Sequence, residues 1–311
     1  LALVSSIDLH IHSYYSDGRH SPAEIVDRAA RIGLETIALT DHDNARGARE
    51  AAPLARARGI RLIPAIEFTC RWEACPTAPG EGDIDVLGYF LDLDNARFRH
   101  FEQAALDDIH ARIADCCARL TAAGVPITLK DVLAENPRYA GLLQLIHALQ
   151  HTGHAADWDE AFTLSRAHWA KVRLSRFEIA QVIDEIHRAG GVAFLAHPSM
   201  VRCDGAPLGA DRIAALAEMG LDGLEVYHYR LDAAARAHFV DLARRFDMLV
   251  SGGSDSHGGW DQMAQMGMEP VTDEMVREIE GRHRELAQAS DRAGSEERAL
   301  RPSRENGDGR M

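Results

Sequence analysis

The sequence predicts an α/β fold with parallel strands, interrupted by a helical subdomain. Short apolar segments alternate with amphipathic helices from residue 7 to about residue 90. The alternation vanishes over residues 96–175 and then resumes to about residue 287. The chain has 311 residues, 46% of them hydrophobic, enough for one large α/β domain with a sizeable core. The expected organisation is a first barrel part over 1–95, a helical insert acting as a lid over 96–175, a second barrel part over 176–287 and a tail over 288–311.

The elements follow in order. Ile7–Ile11 reads as a strand. Ser21 then offers an N-cap, with Pro22 at the first helical position and Glu24 completing a capping box; that helix stops at Gly33. Strands are expected at 36–39, 61–66 and 83–90. A helix over 45–58 should kink or restart at Pro53. Residues 98–123 form one long amphipathic helix, and 131–176 reads as further helices. Beyond them, helices over 176–189, 211–219 and 232–246 separate strands at 192–196, 223–227 and 248–251. Such repeats imply parallel strands with right-handed crossovers, and seven or eight units would close a barrel. No solenoid repeat is present. From residue 288 the chain is rich in Glu, Arg, Ser and Gly and is expected to be disordered.

Composition excludes several classes. The net charge of −14 argues against a broad nucleic-acid face, so no duplex DNA is expected. No run reaches the ~18 apolar residues of a membrane helix. Residues 1–6 lack a basic segment followed by a long apolar one, so no signal peptide is expected. The five cysteines, Cys70, Cys75, Cys116, Cys117 and Cys203, show no metal-binding or disulfide spacing; free thiols in a reducing cytoplasm are the expectation.

Histidines and carboxylates recur just after strands. His10 and His12 lie two apart, on one side of the first strand. Asp17, Asp41, His42, Glu67, His197, Asp255 and His257 follow at or after later strand ends, and these ends form the active-site face of parallel α/β folds. Any one such histidine is usually a surface residue; the joint set requires many coincidences. Imidazole and carboxylate without thiolate suit Mn²⁺, Zn²⁺ or Fe²⁺, and so many ligands imply two or three ions. Asp17 could be a turn former, but its place after two histidines favours a ligand. Asp41 is read as orienting a ligand histidine. Glu225 is either such an orienting group or a carboxylate at the core edge.

His10-Ile11-His12 with Asp17-Gly18, Thr40-Asp41-His42-Asp43, Ile66-Glu67, Ala196-His197-Pro198 and Ser254-Asp255-Ser256-His257 resemble the successive motifs of the PHP family (polymerase and histidinol phosphatase). The resemblance covers about residues 7–91 and 176–270. It implies a distorted (β/α)7 barrel, a trinuclear Mn, Fe or Zn site, and metal-dependent phosphoesterase chemistry on a small nucleotide or the 5′ end of a short RNA, with the metals activating water. The implied ligands are His10, His12, Asp17, His42, Glu67, His197, Asp255 and His257. A ninth position, usually His, holds Asp85 in Asp85-Val86-Leu87-Gly88-Tyr89, which favours a harder ion such as Mn²⁺. The Arg-x-His-type pattern of nucleotide-cleaving relatives is missing from the insert, where 142–147 reads LLQLIH.

The catalytic set expected from the sequence is His197, His257, Asp41 and His228. Phosphate contacts are expected from Arg19, Lys171, Arg173, Arg202 and His228, with Arg202 favoured, although each alone reads more simply as a solvated charge. His147, His151 and His154 share a helix face, and Trp158 and Trp169 could stack on a base; ordinary surface and core roles are the simpler reading. Other activities consistent with the same ligands are C–N bond hydrolysis, a histidinol-phosphate-type phosphatase, or a non-catalytic module.

Overall fold

A computed structural model describes residues 5–75, 83–259 and 264–300. The chain runs β1 (Ile7–Ile11), α1 (Pro22–Ile32), β2 (Thr36–Leu39), α2 (Arg46–Ala57), β3 (Arg61–Cys70), β4 (Ile84–Tyr89) and α3 (Ala96–Ala122). It continues through α4 (Leu129–Glu135), α5 (Leu142–His151), α6 (Trp158–Trp169), α7 (Ile179–Arg188), β5 (Val192–Leu195) and the hairpin β6 (Arg202–Cys203) and β7 (Ala206–Pro207). The last elements are α8 (Ala210–Glu218), β8 (Gly223–Tyr227), α9 (Ala233–Arg245), β9 (Leu249–Gly252) and α10 (Asp273–Leu300).

Local chemistry accounts for the boundaries. The Ser21–Glu24 capping box and Pro22 start α1, and Gly33, at φ 85°, ends it in the left-handed conformation. Pro53 neither kinks nor restarts α2, which is one helix of twelve residues. Its buried stripe of Ala48, Ala51 and Ala55 lets it lie close on the sheet.

Seven strands form one curled sheet in the order β1-β2-β3-β4-β5-β8-β9. The sequence reading of uniformly parallel strands is corrected at β4, which runs antiparallel to both β3 and β5. No helix lies between β3 and β4 among the described residues, and without a helical crossover the chain returns beside the strand it left. The reversal has a consequence for chemistry. Asp85, near the start of β4, pairs with Thr69 near the end of β3, so it reaches the rim where the parallel strands end. At the two sheet edges β1 approaches the segment after β9 through one bridge, Ile11–Ser256, with the His12 N–H donating to the Ser256 carbonyl at 3.0 Å.

Inside the curl Leu9, Ala65, Leu87, Tyr89, Phe194 and Ala196 pack with Val276 and Ile279 of α10. A separate core fills the insert, from Ile113, Cys116 and Leu120 of α3 through Val132, Leu145, Leu149 and Ala161. The first turns of α3 pack Phe98, Phe101 and Ala105 into the core of the sheet domain, and polar contacts add to this seating. The buried Arg112 pairs with Asp83 and stacks on Trp169 at 4.7 Å. Asn136 donates to the carbonyls of Tyr14 and Ser16, both at 2.8 Å.

Two further expectations change. Cys75 and Cys203 form a disulfide that joins the end of the loop after β3 to the β6–β7 hairpin. At a sequence separation of 128, no local spacing signals the pair; the fold supplies the proximity. Cys70, Cys116 and Cys117 are free and buried. Residues 288–300, expected to be disordered, continue helix α10; residues 301–311 lie outside the described residues. No helix among the described residues is long and apolar enough to cross a membrane.

The close approach of β1 to the chain after β9 depends on Gly253. A Cβ there would lie 2.4 Å from both the backbone N and the Cβ of His10. Gly253→Ala should therefore destabilise the fold by about 1–3 kcal/mol, the range for overpacked sites. Urea unfolding checks this; an unchanged midpoint would show that the two edges do not meet so tightly.

Candidate metal centre

His10, His12 and Glu67 are fully buried at the rim of the sheet, and Asp17, His42, Asp85, His197, Asp255 and His257 surround them, each partly open. Nε2 of His10 lies 3.0 Å from Nε2 of His12, 3.2 Å from Glu67 Oε2 and 3.4 Å from Asp255 Oδ1. Nε2 of His12 lies 3.3 Å from Glu67 Oε2 and 3.1 Å from Asp255 Oδ1. Ligands placed tetrahedrally at about 2.0–2.1 Å from an ion are about 3.3 Å apart. His10 Nε2, His12 Nε2 and Glu67 Oε2 are therefore spaced like three ligands of one ion, and Asp255 Oδ1 lies at the same spacing from the two imidazoles.

The outer nitrogen of each ring fixes what the inner one offers. His10 Nδ1 donates to Glu225 Oε1 at 2.8 Å, which leaves its neutral Nε2 as a lone pair. His257 Nδ1 donates to the Asp255 carbonyl at 2.8 Å, and its Nε2 faces Asp17 Oδ1 at 3.2 Å. His12 Nδ1 lies 3.4 Å from the Ser16 hydroxyl, which itself donates to Asp41 at 2.9 Å. Acceptors thus face acceptors, an arrangement stable only with a proton or a cation between them.

Two further groups adjoin this one. Asp17, His12, His42 and His257 present ligand atoms within 4.8 Å of one another, as do His42, Glu67 and Asp85. His197 Nε2 lies 3.1 Å from Glu67 Oε1 and 3.9 Å from Asp85 Oδ2. Glu67 is shared, with one oxygen toward His197 and the other toward His10, His12 and His42. Asp17 Oδ1 and His42 Nδ1, each directed at another member of the cluster, are buried without a hydrogen-bond partner. Orphaned ligand atoms in a set of imidazoles and carboxylates fit divalent ions.

Backbone and buried acids hold this geometry. His197 and Asp255 occupy left-handed conformations, φ 30° and 53°, which non-glycine residues adopt at a cost. Glu225 spans two ligands, taking the His10 ring with one oxygen and the His197 N–H with the other at 2.8 Å. Asp8, fully buried, accepts from the backbone of Ser254, His10 and Gly267 and so pins the strand that carries His10 to the loop before Asp255.

The remaining expected residues divide. Asp41 does not reach the cluster; it grips the loop after β1 through Ser13 and Ser16 and acts on His12 only through Ser16. His228 is completely buried rather than lining the rim. Its Nδ1 accepts the Arg230 N–H at 3.2 Å, so its Nε2 carries the proton that faces Asp255 Oδ2 at 3.2 Å. Arg173 is committed to Asp108 at 2.7 Å. Lys171 and Arg202 are exposed, and no ion pair ties either to the cluster among the described residues. Arg19 lines a cavity of about 290 Å³ together with Asp17 and the insert residues Asn136, Arg138, Gln144 and His147. His151 also borders that cavity, and His154 instead caps the Pro126 carbonyl. Sequence reasoning missed Asp8, Ser16, Asn136 and Arg138. Buried polar residues beside the ligand motifs signalled the first two, while nothing local signalled the insert pair.

The profile of the PHP domain matches residues 8–219, more than half of the chain. The chain belongs to the PHP family. It is 30% identical to a 5′-3′ exoribonuclease of Haemophilus influenzae over 85% of this chain and 94% of that one. It is 28% identical to a 3′,5′-nucleoside bisphosphate phosphatase of Chromobacterium violaceum, over 90% and 98%. A solved structure from Bifidobacterium adolescentis, described as a metal-dependent phosphoesterase, superposes with a TM-score of 0.76 at 29% identity, covering 88% of this chain and 94% of that one. A second, an amidohydrolase of Chromobacterium violaceum with bound sulfate, gives 0.74 at 26% identity, covering 89% and 97%.

In this PHP cluster the titrations oppose one another. Burial pushes the His12 imidazole down, but Asp255, Glu67 and Asp17 reverse this and raise it to about 10. His197, likewise buried but facing Glu67 and Asp85, rises to about 9, and His10 stands well above its ordinary value. Burial pushes Glu67 and Asp255 up, yet the surrounding imidazoles hold both well below the carboxylate range. Without metal, protons occupy the place of cations. The raised histidines contribute stability that is fully present below pH 6.5 and lost as pH rises through about 9 and 10. The depressed carboxylates contribute above their unfolded pKa, about 4, and lose that below it. Chelator-treated protein should therefore melt at a lower temperature at pH 9.5 than at pH 6, and Mn²⁺ should raise the melting temperature more at pH 9.5. A melting temperature that rises with pH in the chelated protein would contradict this cluster.

Proposed function

We propose that the chain is a metal-dependent phosphoesterase, a hydrolase of ester bonds acting on a small nucleotide or on the 5′ end of a short RNA. One observation carries the reading: lone pairs of His10, His12 and Glu67 converge at 3.0–3.3 Å, with Asp255 3.1–3.4 Å from both imidazoles, while the outer nitrogen of His10 is spent on Glu225. The bridge between Ile11 and Ser256 supports a distorted (β/α)7 barrel, with the insert as a lid over the strand ends. The relatives named as an exoribonuclease and a bisphosphate phosphatase support the substrate class.

His10, His12, Glu67 and Asp255 would hold one ion, with Asp17, His42 and His257 and then Asp85 and His197 as the neighbouring sets. Two or three ions are expected, and the hard Asp85 favours Mn²⁺ over Zn²⁺ or Fe²⁺. When bound, such ions lower the pKa of water and neutralise phosphoryl oxygens. The protein's own part is to fix the tautomers. Glu225 keeps the His10 proton on Nδ1, and the Asp255 carbonyl keeps the His257 proton on Nδ1. His197 and His257 belong to the ligand sets, and the fully buried His228 would orient a ligand rather than meet the leaving group, because its Nε2 proton is given to Asp255 Oδ2 while its Nδ1 stays occupied.

The Mn²⁺-loaded protein should be assayed on nucleoside bisphosphates, 5′-phosphorylated short RNA, histidinol phosphate, an aryl phosphate and an amide. Phosphoester turnover with no amide turnover is expected. Asp255→Ala should lose metal and turnover together, whereas His228→Asn, which loosens the orientation of Asp255, should cost about 10–100-fold in metal affinity or turnover. Amide turnover alone, or full turnover by metal-free Asp255→Ala, would overturn the assignment.

A further inference from the structure

Asp17 reaches the cluster on a turn over residues 14–17, outside any helix or strand, so the turn's carbonyls need partners from elsewhere. The Ser13 carbonyl accepts the N–H groups of Ser16 and Gly18, both at 3.0 Å. The next three carbonyls are met by side-chain amides. Asn44 donates to Tyr15 at 2.9 Å. The donors to the other two come from the insert. Asn136 donates to Tyr14 and Ser16, both at 2.8 Å, and Gln144 makes a longer bond to Ser16 at 3.4 Å. The peptide that leads into Asp17 thus takes two donors from the insert.

Both amides have their direction fixed. Oδ1 of Asn136 accepts the Arg138 N–H at 3.0 Å, and Oε1 of Gln144 accepts the Gly141 N–H at 3.0 Å. The NH₂ of each must therefore face the turn. Both residues are buried, where a lost donor leaves a carbonyl unsatisfied. From the sheet side Asp41 holds the same turn, through the Ser13 N–H at 2.6 Å and the Ser16 hydroxyl at 2.9 Å. Between these two clamps Asp17 Oδ1 stands 3.2 Å from His257 Nε2 and 3.6 Å from His12 Nδ1.

We propose that the insert is a working part of the metal centre. Asn136, helped by Gln144, is the positioning residue for the ion that Asp17, His12, His42 and His257 would hold. A docked insert presents the Asp17 carboxylate, and an ion on Asp17 holds in place the carbonyls that the insert grips. Docking and ion binding then favour each other by the same factor, as linkage requires. His10 and Glu67 stand on β1 and β3 themselves, so the ion they share with His12 is the internal control. The proposal rests on the metal centre and not on the ester chemistry.

Mn²⁺ binding is measured by calorimetry with elemental analysis for wild type, Asn136→Ala, Asn136→Asp and Gln144→Ala. Asn136→Asp keeps the size and the Oδ1 acceptor but lacks the two N–H donors. Its added negative charge alone would strengthen cation binding, so a loss reports the missing donors. Both Asn136 variants should bind one ion about 10–100-fold more weakly and the others as wild type does, with a smaller loss for Gln144→Ala. Hydrogen exchange over residues 129–151 gives the reciprocal reading, which needs no insert variant to fold. Mn²⁺ should slow that exchange in wild type, and Asp17→Asn, which leaves every insert contact in place, should abolish the slowing. Wild-type affinity in both Asn136 variants, equal weakening of all ions, or exchange indifferent to Mn²⁺ in wild type would overturn the proposal. Asn136-dependent ion binding in a protein that hydrolyses no phosphoester would uphold it and overturn the phosphoesterase reading instead.

Discussion

The structure depends on a cluster of lone pairs that no protein interior tolerates unaided. His10, His12 and Glu67 are buried at a point where acceptor faces acceptor at about hydrogen-bond distance. A carboxylate withdrawn from water costs several kcal/mol unless positive charge accompanies it. Either protons or divalent ions must therefore sit there, and the surroundings decide which atoms receive them. Glu225 fixes the His10 ring, Asp41 reaches His12 through Ser16, and the Asp255 carbonyl fixes His257. The left-handed backbones at His197 and Asp255 are the conformational cost of bringing two strand ends to that point.

Much of this was legible in the residues. The placement of His10, His12 and His197 at one rim followed from strand–helix alternation alone, whereas Glu67, expected just past a strand end, lies inside β3, which runs on to Cys70. Asp85 was harder. Its role was suggested by a motif, yet its access to the rim depends on the antiparallel course of β4, which the pattern of apolar residues does not encode because a buried strand reads the same in both directions. Long-range pairs were illegible for a similar reason. The Cys75–Cys203 disulfide, the clasp of Asp8 on Ser254 and Gly267, and the grip of Asn136 on the ligand loop join residues far apart in the chain, with no local spacing to announce them. The basic residues misled. Arg173 lies at the end of the insert, but its charge is spent on Asp108 of α3.

The division of labour between sheet and insert follows from these contacts. The sheet domain carries the converging histidines and carboxylates, with an acid set that would suit many metal-assisted hydrolyses. The insert shares the sheet core through Phe98, Phe101 and Ala105, has its own core from Ile113 onward, and meets the ligand loop through a few polar atoms. A module joined in this way can change the residues it presents away from that loop without disturbing the ligands.

The central claim is that the buried lone pairs around Glu67 hold divalent ions. X-ray absorption on protein reconstituted with Mn²⁺, together with elemental analysis, tests it most directly. The account predicts at least two ions per chain in an all nitrogen and oxygen environment with imidazole scattering, and loss of ions when Glu67 is replaced by Ala. Fewer than one ion per chain, or a sulfur-ligated ion unaffected by Glu67→Ala, would contradict it.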